Sequence, residues 1–345
     1  MSTPPRSNPA RQRATIRDVA ALAGVGIKTV SRVINDEANV SEQTRERVQR
    51  AVSALNFQPN LGAGTLRRGD RKTLTLGLLL ESVDNPFSAA INRAVERVAA
   101  GRGTAVFAAS FEDDPDRERA LVRAFTRRRV DGLILTTITP DQGYLQIERE
   151  QGTPIVFVDR PPVGLAADAV VSDNFQAARA ATRHLIRHGH TRIAFFGDDL
   201  AIATASERRR GFEAAMAEAG LEGRFIQRHD RRSEDTTIAE VRRLMALDRP
   251  PTALFTSQNL LTIGALRALH QLGRQHSVAL IGLDDVSLAD LLDPPVTVMA
   301  QDPAAMGTIA AERVFARLDG DDSPAFTVVV PCRLIVRGSG EIPPP

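Results

Sequence analysis

The stretch that decides the fold is residues 15–35, which read Thr-Ile-Arg-Asp-Val-Ala-Ala-Leu-Ala-Gly-Val-Gly-Ile-Lys-Thr-Val-Ser-Arg-Val-Ile-Asn. The spacing predicts two short helices, and Gly24 allows a sharp turn between them. Apolar residues recur at helical spacing and form the inner faces of both helices. These inner residues are Val19, Ala20, Ala23, Val30 and Val33.

The second helix has a polar outer face formed by Lys28, Thr29, Ser31 and Arg32. The major groove of DNA is wide enough to admit an α-helix, and helix-turn-helix proteins place their second helix there. The segment therefore indicates double-stranded DNA as a partner.

This block resembles the headpiece of the LacI/GalR family of bacterial transcription regulators, and the resemblance continues through residues 44–48 and 55–60. A third helix is predicted from about Ser41 to Leu55, with Ser41 as its N-cap. The resemblance implies that Lys28 and Arg32 read bases and that Ile27 contacts a thymine methyl. The full set of implied DNA-binding residues is Thr15, Ile27, Lys28, Thr29, Ser31, Arg32, Asn35, Asn60, Leu66 and Arg67.

Charge is distributed unevenly along the 345 residues. Residues 1–71 contain 12 Lys/Arg against 6 Asp/Glu, whereas the remainder contains 32 against 36. A basic front end on a mildly acidic body fits a DNA-binding module joined to something that does not bind DNA. We expect residues 1–13 to be a disordered arm and residues 14–60 to be the DNA-binding domain.

Composition also bounds the setting of the protein. No apolar run approaches the roughly 18 residues of a membrane span, so no membrane partner is expected, and the N-terminus lacks the apolar core of a signal peptide. The single cysteine, Cys332, permits no intrachain disulfide. These features predict a cytoplasmic protein.

Residues 61–71 are predicted to be a hinge. In the family this stretch folds into a short helix on DNA and wedges a leucine into the minor groove, a position that Leu66 matches. Gly64 stands where relatives often carry a basic residue, and Gly26 replaces the serine that usually caps the second helix. A flexible linker is the alternative interpretation.

The body, residues 72–340, alternates short apolar strands with helices, which predicts α/β architecture with two doubly wound parallel sheets and a ligand cleft at the carboxyl ends of the strands. Strands are predicted at residues 73–80, 104–109, 132–137, 155–159, 193–197, 253–256, 278–282 and 297–300. Helices are predicted at residues 88–100, 115–128, 175–187, 207–219, 236–246, 260–272 and 304–318.

The family resemblance extends through this body, which is similar to a periplasmic sugar-binding protein. It implies two lobes, with the chain crossing between them near 172, 302 and 325. The N-lobe is expected at about 72–172 and 303–325, and the C-lobe at about 173–302 and 326–340. Its landmarks include residues 84–87, 129–132, 159–160, 188–190, 282–285 and 294–297.

In relatives the cleft takes a sugar, a sugar derivative or a nucleobase. Asp284 is the strongest candidate here, because a carboxylate at a strand end can accept two hydroxyl hydrogen bonds. Ser206 stands where many relatives carry an arginine, and Arg231 falls near the position of an aromatic platform, so a sugar acid or sugar phosphate paired with Arg231 is the favoured effector. The full implied set is Phe87, Asp159, Thr204, Ser206, Arg208, Arg231, Gln258, Asn259, Asp284 and Gln301.

Other function classes are weighed against this interpretation. The chain has no G-x-S-x-G elbow, P-loop or H-E-x-x-H motif, so we expect no enzyme, no catalytic residues and no cofactor. His184, His188 and His190 have spacing that a zinc site could use, but a structural role is favoured and no metal is expected. A sugar-type binding protein that has lost specific DNA binding is the alternative function.

The sequence thus predicts a homodimeric regulator, commonly a repressor in this family, whose affinity for its operator is switched by a small molecule. A two-fold dimer should read a pseudo-palindrome, and Leu66 implies a kinked central CG step. The chain has no terminal leucine heptad, so a tetramer is not expected.

Overall fold

The computed structural model describes residues 14–34, 37, 39–57, 72–222, 226–228 and 233–345. The chain divides into two units, residues 1–73 and residues 74–345. The expected arm and hinge lie outside the described residues. So do five of the predicted site residues: Asn35, Asn60, Leu66, Arg67 and Arg231.

The described part of the first unit consists of three helices, α1 (Ile16–Ala23), α2 (Ile27–Ile34) and α3 (Glu42–Ala54). Helix α1 begins at a capping box, since the backbone N–H and the hydroxyl of Thr15 both donate to Asp18 at 2.7 Å. Gly24 ends α1 with a φ of 63°, which lets the chain turn into α2. The predicted inner residues are buried and pack on α3 through Val48 and Ala51.

The N-lobe of the second unit contains one six-stranded sheet in the order β11-β5-β4-β3-β1-β2, with every described pair parallel. Its strands are β1 (Thr75–Leu80), β2 (Ala105–Ser110), β3 (Gly132–Leu135), β4 (Ile155–Val158), β5 (Asp168–Ser172) and β11 (Thr327–Val330). Its helices are α4 (Pro86–Gly101), α5 (Pro115–Arg127), α6 (Gln146–Glu150) and α11 (Pro303–Leu318).

The C-lobe repeats this plan, with the strand order β12-β10-β9-β8-β6-β7. Only β12 runs antiparallel to its neighbour among the described pairs. Its strands are β6 (Ile193–Phe196), β7 (Ile226–Arg228), β8 (Ala253–Thr256), β9 (Ala279–Leu283), β10 (Thr297–Ala300) and β12 (Arg333–Ile335). Its helices are α7 (Asn174–Arg187), α8 (Ala203–Glu218), α9 (Glu234–Met245) and α10 (Asn259–Gln271).

Both sheets are covered on two faces, which is why their central strands read as unbroken apolar runs. Every residue of β3, β4, β6 and β8 is buried. The predicted fold class, a helical headpiece with an α/β body of parallel sheets, is confirmed.

The third crossing between the lobes differs from the expectation. We expected it near residue 325, but β11 pairs in parallel with β5, and Val328 and Val330 pack on the N-lobe core. Residues 327–330 therefore belong to the N-lobe, and the chain crosses at residues 331–332. The predicted strands omitted β5, β7, β11 and β12. Two of these, β11 and β12, are edge strands with mostly exposed or half-buried residues. They therefore lack the complete burial of the equally short β3, β4, β6 and β8, which were predicted.

No helix among the described residues is both long and apolar enough to cross a membrane.

Candidate DNA interface and ligand cleft

Helix α2 turns its predicted polar residues away from the headpiece core. Lys28 is exposed and Ile27 is 40% exposed, while Thr29, Ser31 and Arg32 are half-buried. The Arg32 guanidinium lies 3.6 Å from the Glu37 carboxylate, and both side chains are more than two-fifths exposed. An exposed ion pair of this kind is weak, so Arg32 can exchange Glu37 for another acceptor.

Thr15, the predicted backbone contact at the start of α1, already has an acceptor. Its two hydrogen bonds to Asp18 lower the pKa of that carboxyl. The hydroxyl oxygen of Thr15 keeps its lone pairs, and the N–H groups of the first turn of α1 lie beside it.

Gly26 occupies the N-cap of α2, where its carbonyl accepts from Thr29 N at 2.9 Å and Val30 N at 3.2 Å. It supplies no side-chain oxygen for the free N–H groups of the first turn. A Cβ added at Gly26 would meet no atom within 4 Å. The site therefore has room for the serine that relatives carry.

In the body, two aspartates follow equivalent strands of the two lobes. Asp159 follows β4 and Asp284 follows β9, and each of these strands is third in its sheet from the edge strand, β11 or β12. Their φ angles are 73° and 72°, in the left-handed region that aspartate tolerates better than most residues. The negative charge of Asp159 contributes to raising the pKa of Asp284, so the two carboxyls are close enough to interact.

Asp284 is held in a buried polar network. Burial raises the pKa of its carboxyl, opposed by the charge of Arg208 and by the hydrogen bond from Gln301, which donates at 2.6 Å. Arg208 is itself buried and donates to Asn174 Oδ1 at 2.7 Å and to the Ser257 carbonyl at 2.9 Å. Arg208 thus bridges α7, α8 and the end of β8 while it neutralises the region around Asp284.

The N-lobe wall contains a second charged network around Arg160. This buried guanidinium donates to the Thr137 carbonyl at 3.1 Å and to Glu81 at 3.4 Å, and it lies 3.6 Å from Asp159. Burial raises the pKa of Glu81 to about 7, against the opposing effect of Arg160. The negative charge of Asp198, from the C-lobe, adds to that rise, so acidic groups of the two lobes interact electrostatically here.

The lobes are also joined by a direct hydrogen bond. Asn259, the first residue of α10, donates to Asn85 Oδ1 at 2.8 Å. The same Asn85 oxygen accepts from Phe87 N at 3.0 Å and caps α4. The start of a C-lobe helix is thereby tied to the start of an N-lobe helix.

Other predicted effector residues are buried or half-buried in the two lobes. Phe87 is half-buried and packs on the N-lobe core, and Thr204 is buried in the first turn of α8 with half-buried Ser206 one half-turn on. Gln258 donates to Asp198 at 3.5 Å.

Sequence reasoning did not assign a ligand role to Glu81, Asn85, Arg160 or Asp198. Three of them lie within two residues of a strand's carboxyl end. Ligands bind at that edge in open α/β sheets, so their position after a predicted strand could have identified these three residues.

The three histidines of the zinc alternative make other contacts. His184 pairs with Glu341 at 2.5 Å, and His190 lies between Thr252 Oγ1 at 2.9 Å and the Ile342 carbonyl at 2.8 Å. His188 ends α7. These contacts attach residues 341–342 to the C-lobe, and the described part of the chain contains no group of three potential metal ligands.

Comparison with known proteins assigns both parts of the chain. Residues 15–60 match the bacterial regulatory proteins of the lacI family, and residues 73–329 match the periplasmic binding proteins and sugar-binding domain of the LacI family. The chain is 30% identical to the HTH-type transcriptional repressor PurR of Mannheimia succiniciproducens, over 94% of this chain and 98% of the relative.

Solved structures agree with this assignment. The transcriptional regulator CelR in complex with cellobiose is similar at a TM-score of 0.69 and 31% identity, covering 95% of this chain and all of that one. The lac repressor dimer bound to operator and the anti-inducer ONPF is similar at a TM-score of 0.84 and 25% identity, covering 95% and 99%.

Proposed function

This chain belongs to the LacI family of bacterial transcription regulators, and we propose that it is a homodimeric repressor whose operator affinity is switched by a sugar-type effector in the interlobe cleft. Its relatives are named transcriptional repressors and regulators, and the chain is a DNA-binding regulator rather than an enzyme. The observation that carries the proposal is the pairing of an exposed polar α2 with a cleft of buried, ordered polar groups. A cytoplasmic location follows from the DNA partner.

The cleft chemistry supports a neutral polyhydroxylated effector. Carboxylates accept hydrogen bonds from hydroxyl groups, and acidic groups from both lobes line the cleft. The two buried arginines there, Arg160 and Arg208, already donate to protein acceptors, so a bound carboxylate or phosphate would have to compete with those acceptors. This favours a neutral sugar over the sugar acid or phosphate that Arg231 suggested.

Dimer formation is supported by an apolar surface on the C-lobe. Leu288 is 65% exposed and Leu291 is 74% exposed. They lie near a groove of about 390 Å³ whose lining includes Ile263, Leu266 and Leu292. Burial of such a surface against a second copy would stabilise a two-fold dimer, and a two-fold dimer suits a pseudo-palindromic site.

Selection of genomic fragments by the purified protein tests the DNA half. We expect enrichment of a pseudo-palindrome with a central CG step, contacted through α2 and Leu66. Repression is then tested with a reporter placed behind that site. If no fragment is enriched, with or without pooled metabolites, the alternative of a sugar-type binding protein that has lost specific DNA binding replaces the proposal.

Calorimetric titration with neutral sugars, sugar acids and sugar phosphates tests the cleft. We expect a neutral sugar to bind and Asp284→Asn to weaken this binding by about tenfold or more, because one carboxyl oxygen is replaced by an amide N–H₂ that cannot accept a hydrogen bond. Arg231→Ala should have no effect. A preference for sugar acids that disappears in Arg231→Ala would overturn the neutral-sugar proposal and restore the sequence-based one.

A further inference from the structure

A second cavity lies on the C-lobe surface between α7 and the edge strand β12. It has a volume of about 300 Å³, within the range of small-molecule sites. Met299, Cys332 and Leu334 form an apolar side, and α7 contributes Arg179 and Arg183. None of the predicted effector residues lines it.

The polar groups of this groove are not equally available. Arg179 pairs with Glu218 at 2.8 Å and donates to Gln176. Asp173 accepts from the backbone N–H of Cys332 at 2.8 Å, and both burial and this carboxylate raise the pKa of the Cys332 thiol. The backbone N–H of Cys332 holds the Asp173 carboxylate in place, and the raised pKa keeps the thiol uncharged. The positive charges that line the groove are therefore the two arginines of α7.

Of these two arginines, Arg183 is the one without a described carboxylate partner. It is exposed, lines the groove one helical turn beyond Arg179, and forms no ion pair with any carboxylate in the described ranges. An exposed guanidinium next to the apolar residues of the groove suits a ligand with one anionic group and a short apolar body.

We propose that this groove is a second ligand site, distinct from the effector cleft, that binds a small carboxylate with an apolar body. The guanidinium of Arg183 holds the carboxylate, and Met299 and Leu334 contact the apolar body.

The groove lies beside two of the segments that connect the lobes. Asp173 and Cys332 lie on two of the three segments by which the chain crosses between the lobes, and they are hydrogen-bonded to each other. A ligand seated here contacts both segments. If the proposed function holds, this ligand would therefore change the lobe arrangement on which the effector acts. The effector would in turn change the affinity for this ligand, because coupling between two binding sites is reciprocal.

The methionine methyl groups supply a probe that needs neither operator nor effector. The chain has five methionines, and Met299 alone lines this groove. We would label them with ¹³C, assign Met299 by Met299→Leu, and titrate the full-length protein with hexanoate. We expect a saturable shift of the Met299 signal while the signals of Met216, Met245 and Met306 stay in place.

Two controls separate the proposed site from general binding. Arg183→Gln should weaken hexanoate binding by about tenfold or more, whereas Arg187→Gln, an exposed arginine one turn further along α7, should not change it. Hexanamide, which has the same length without the charge, should bind more weakly than hexanoate by a similar factor. An unchanged methyl spectrum of Arg183→Gln without ligand shows that the variant is folded.

The site is rejected if hexanoate leaves the Met299 signal unmoved, if both arginine variants bind equally well, or if hexanamide binds as tightly as hexanoate. Because the measurement does not involve DNA, none of these outcomes bears on the proposed regulator function. A failure of operator binding, in turn, would not change how the hexanoate titration is interpreted.

Discussion

Lys28 in the headpiece and Asp284 in the body are both expected to contact a partner, but the protein holds them in opposite ways. Lys28 is exposed on α2, and only the apolar inner side of that helix is fixed by packing. Asp284 is buried and has Gln301 and Arg208 around it. The headpiece exposes its candidate contact residue to solvent, whereas Asp284 lies among polar groups that already bond to one another.

This difference predicts which substitutions will change partner affinity without changing stability. An exposed reader can be removed without leaving a buried group unpaired, so DNA affinity and stability should change independently. A buried cleft residue cannot, because each partner it leaves behind loses a hydrogen bond in a place that water does not reach.

Substitution of Arg208 should lower the stability of the protein more than the other changes considered. Arg208→Met removes the buried guanidinium that serves Asn174 and Ser257 and leaves Asp284 without its neighbouring positive charge. We expect the free energy of unfolding to fall by about 3 kcal/mol, measured by urea denaturation. Arg210→Met, which removes an exposed arginine over Phe175, should cost less than about 1 kcal/mol. Equal losses in the two variants would remove the proposed contrast between buried and exposed arginines.

Lys28 should show the opposite pattern. Lys28→Ala should weaken operator binding by about 1–3 kcal/mol and leave the thermal midpoint unchanged, as measured by fluorescence anisotropy and calorimetry. Arg50→Ala, exposed on α3, should change affinity by less than about 0.5 kcal/mol. A loss of stability in Lys28→Ala, or an equal affinity loss in Arg50→Ala, would contradict the outward-reading role.

A smaller effect is expected from Glu81. Because its pKa in the folded protein, about 7, exceeds the ordinary value of 4.5, the folded state holds the proton more tightly than the unfolded chain. Stability should therefore fall as pH rises from 4.5 towards 7 and stay lower above that. Glu81→Gln cannot ionise, so its thermal midpoint should fall less between pH 5 and pH 8.

The control for that comparison is Glu112→Gln, since Glu112 is an exposed carboxylate paired with Arg117. It should keep the pH dependence of the unmodified protein. If Glu81→Gln keeps it too, Glu81 is ionised throughout and the acidic groups of the two lobes do not oppose each other.

The smallest expected effect is at the start of α2. Gly26→Ser should raise the stability of the headpiece by a few tenths of a kcal/mol, since a serine hydroxyl can accept from the free first-turn N–H groups and the added Cβ meets no neighbour. Differential scanning calorimetry of the full chain checks this. A lower midpoint would show that Gly26 is needed for its backbone conformation.

The headpiece could be predicted closely because its contacts are local. The inner residues, the turn at Gly24 and the outer polar residues all follow from helical spacing within some twenty residues, and each was placed as expected. The fully buried strands β3, β4, β6 and β8 were predicted for the same reason, because an unbroken apolar run indicates burial on both faces without reference to its neighbours.

The short strands and the third crossing were not predictable in this way. The position of β11 depends on β5, whose partner residues are more than 150 positions earlier in the chain. A four-residue segment carries too little pattern to choose between two lobes, and the pairing is decided by which sheet edge lies beside it.

Local patterns in the sequence are enough to predict the helix-turn-helix, its outward polar face, the α/β class of the body and the strand ends where the candidate ligand-binding residues lie. Tertiary structure alone decided which of those residues meet. Arg160 reaches Glu81 across 79 positions, and Asn259 reaches Asn85 across 174. The reason is physical: helical period and strand burial are properties of neighbouring residues, whereas a cleft is formed by side chains brought together only when both sheets have formed and the chain has crossed between them.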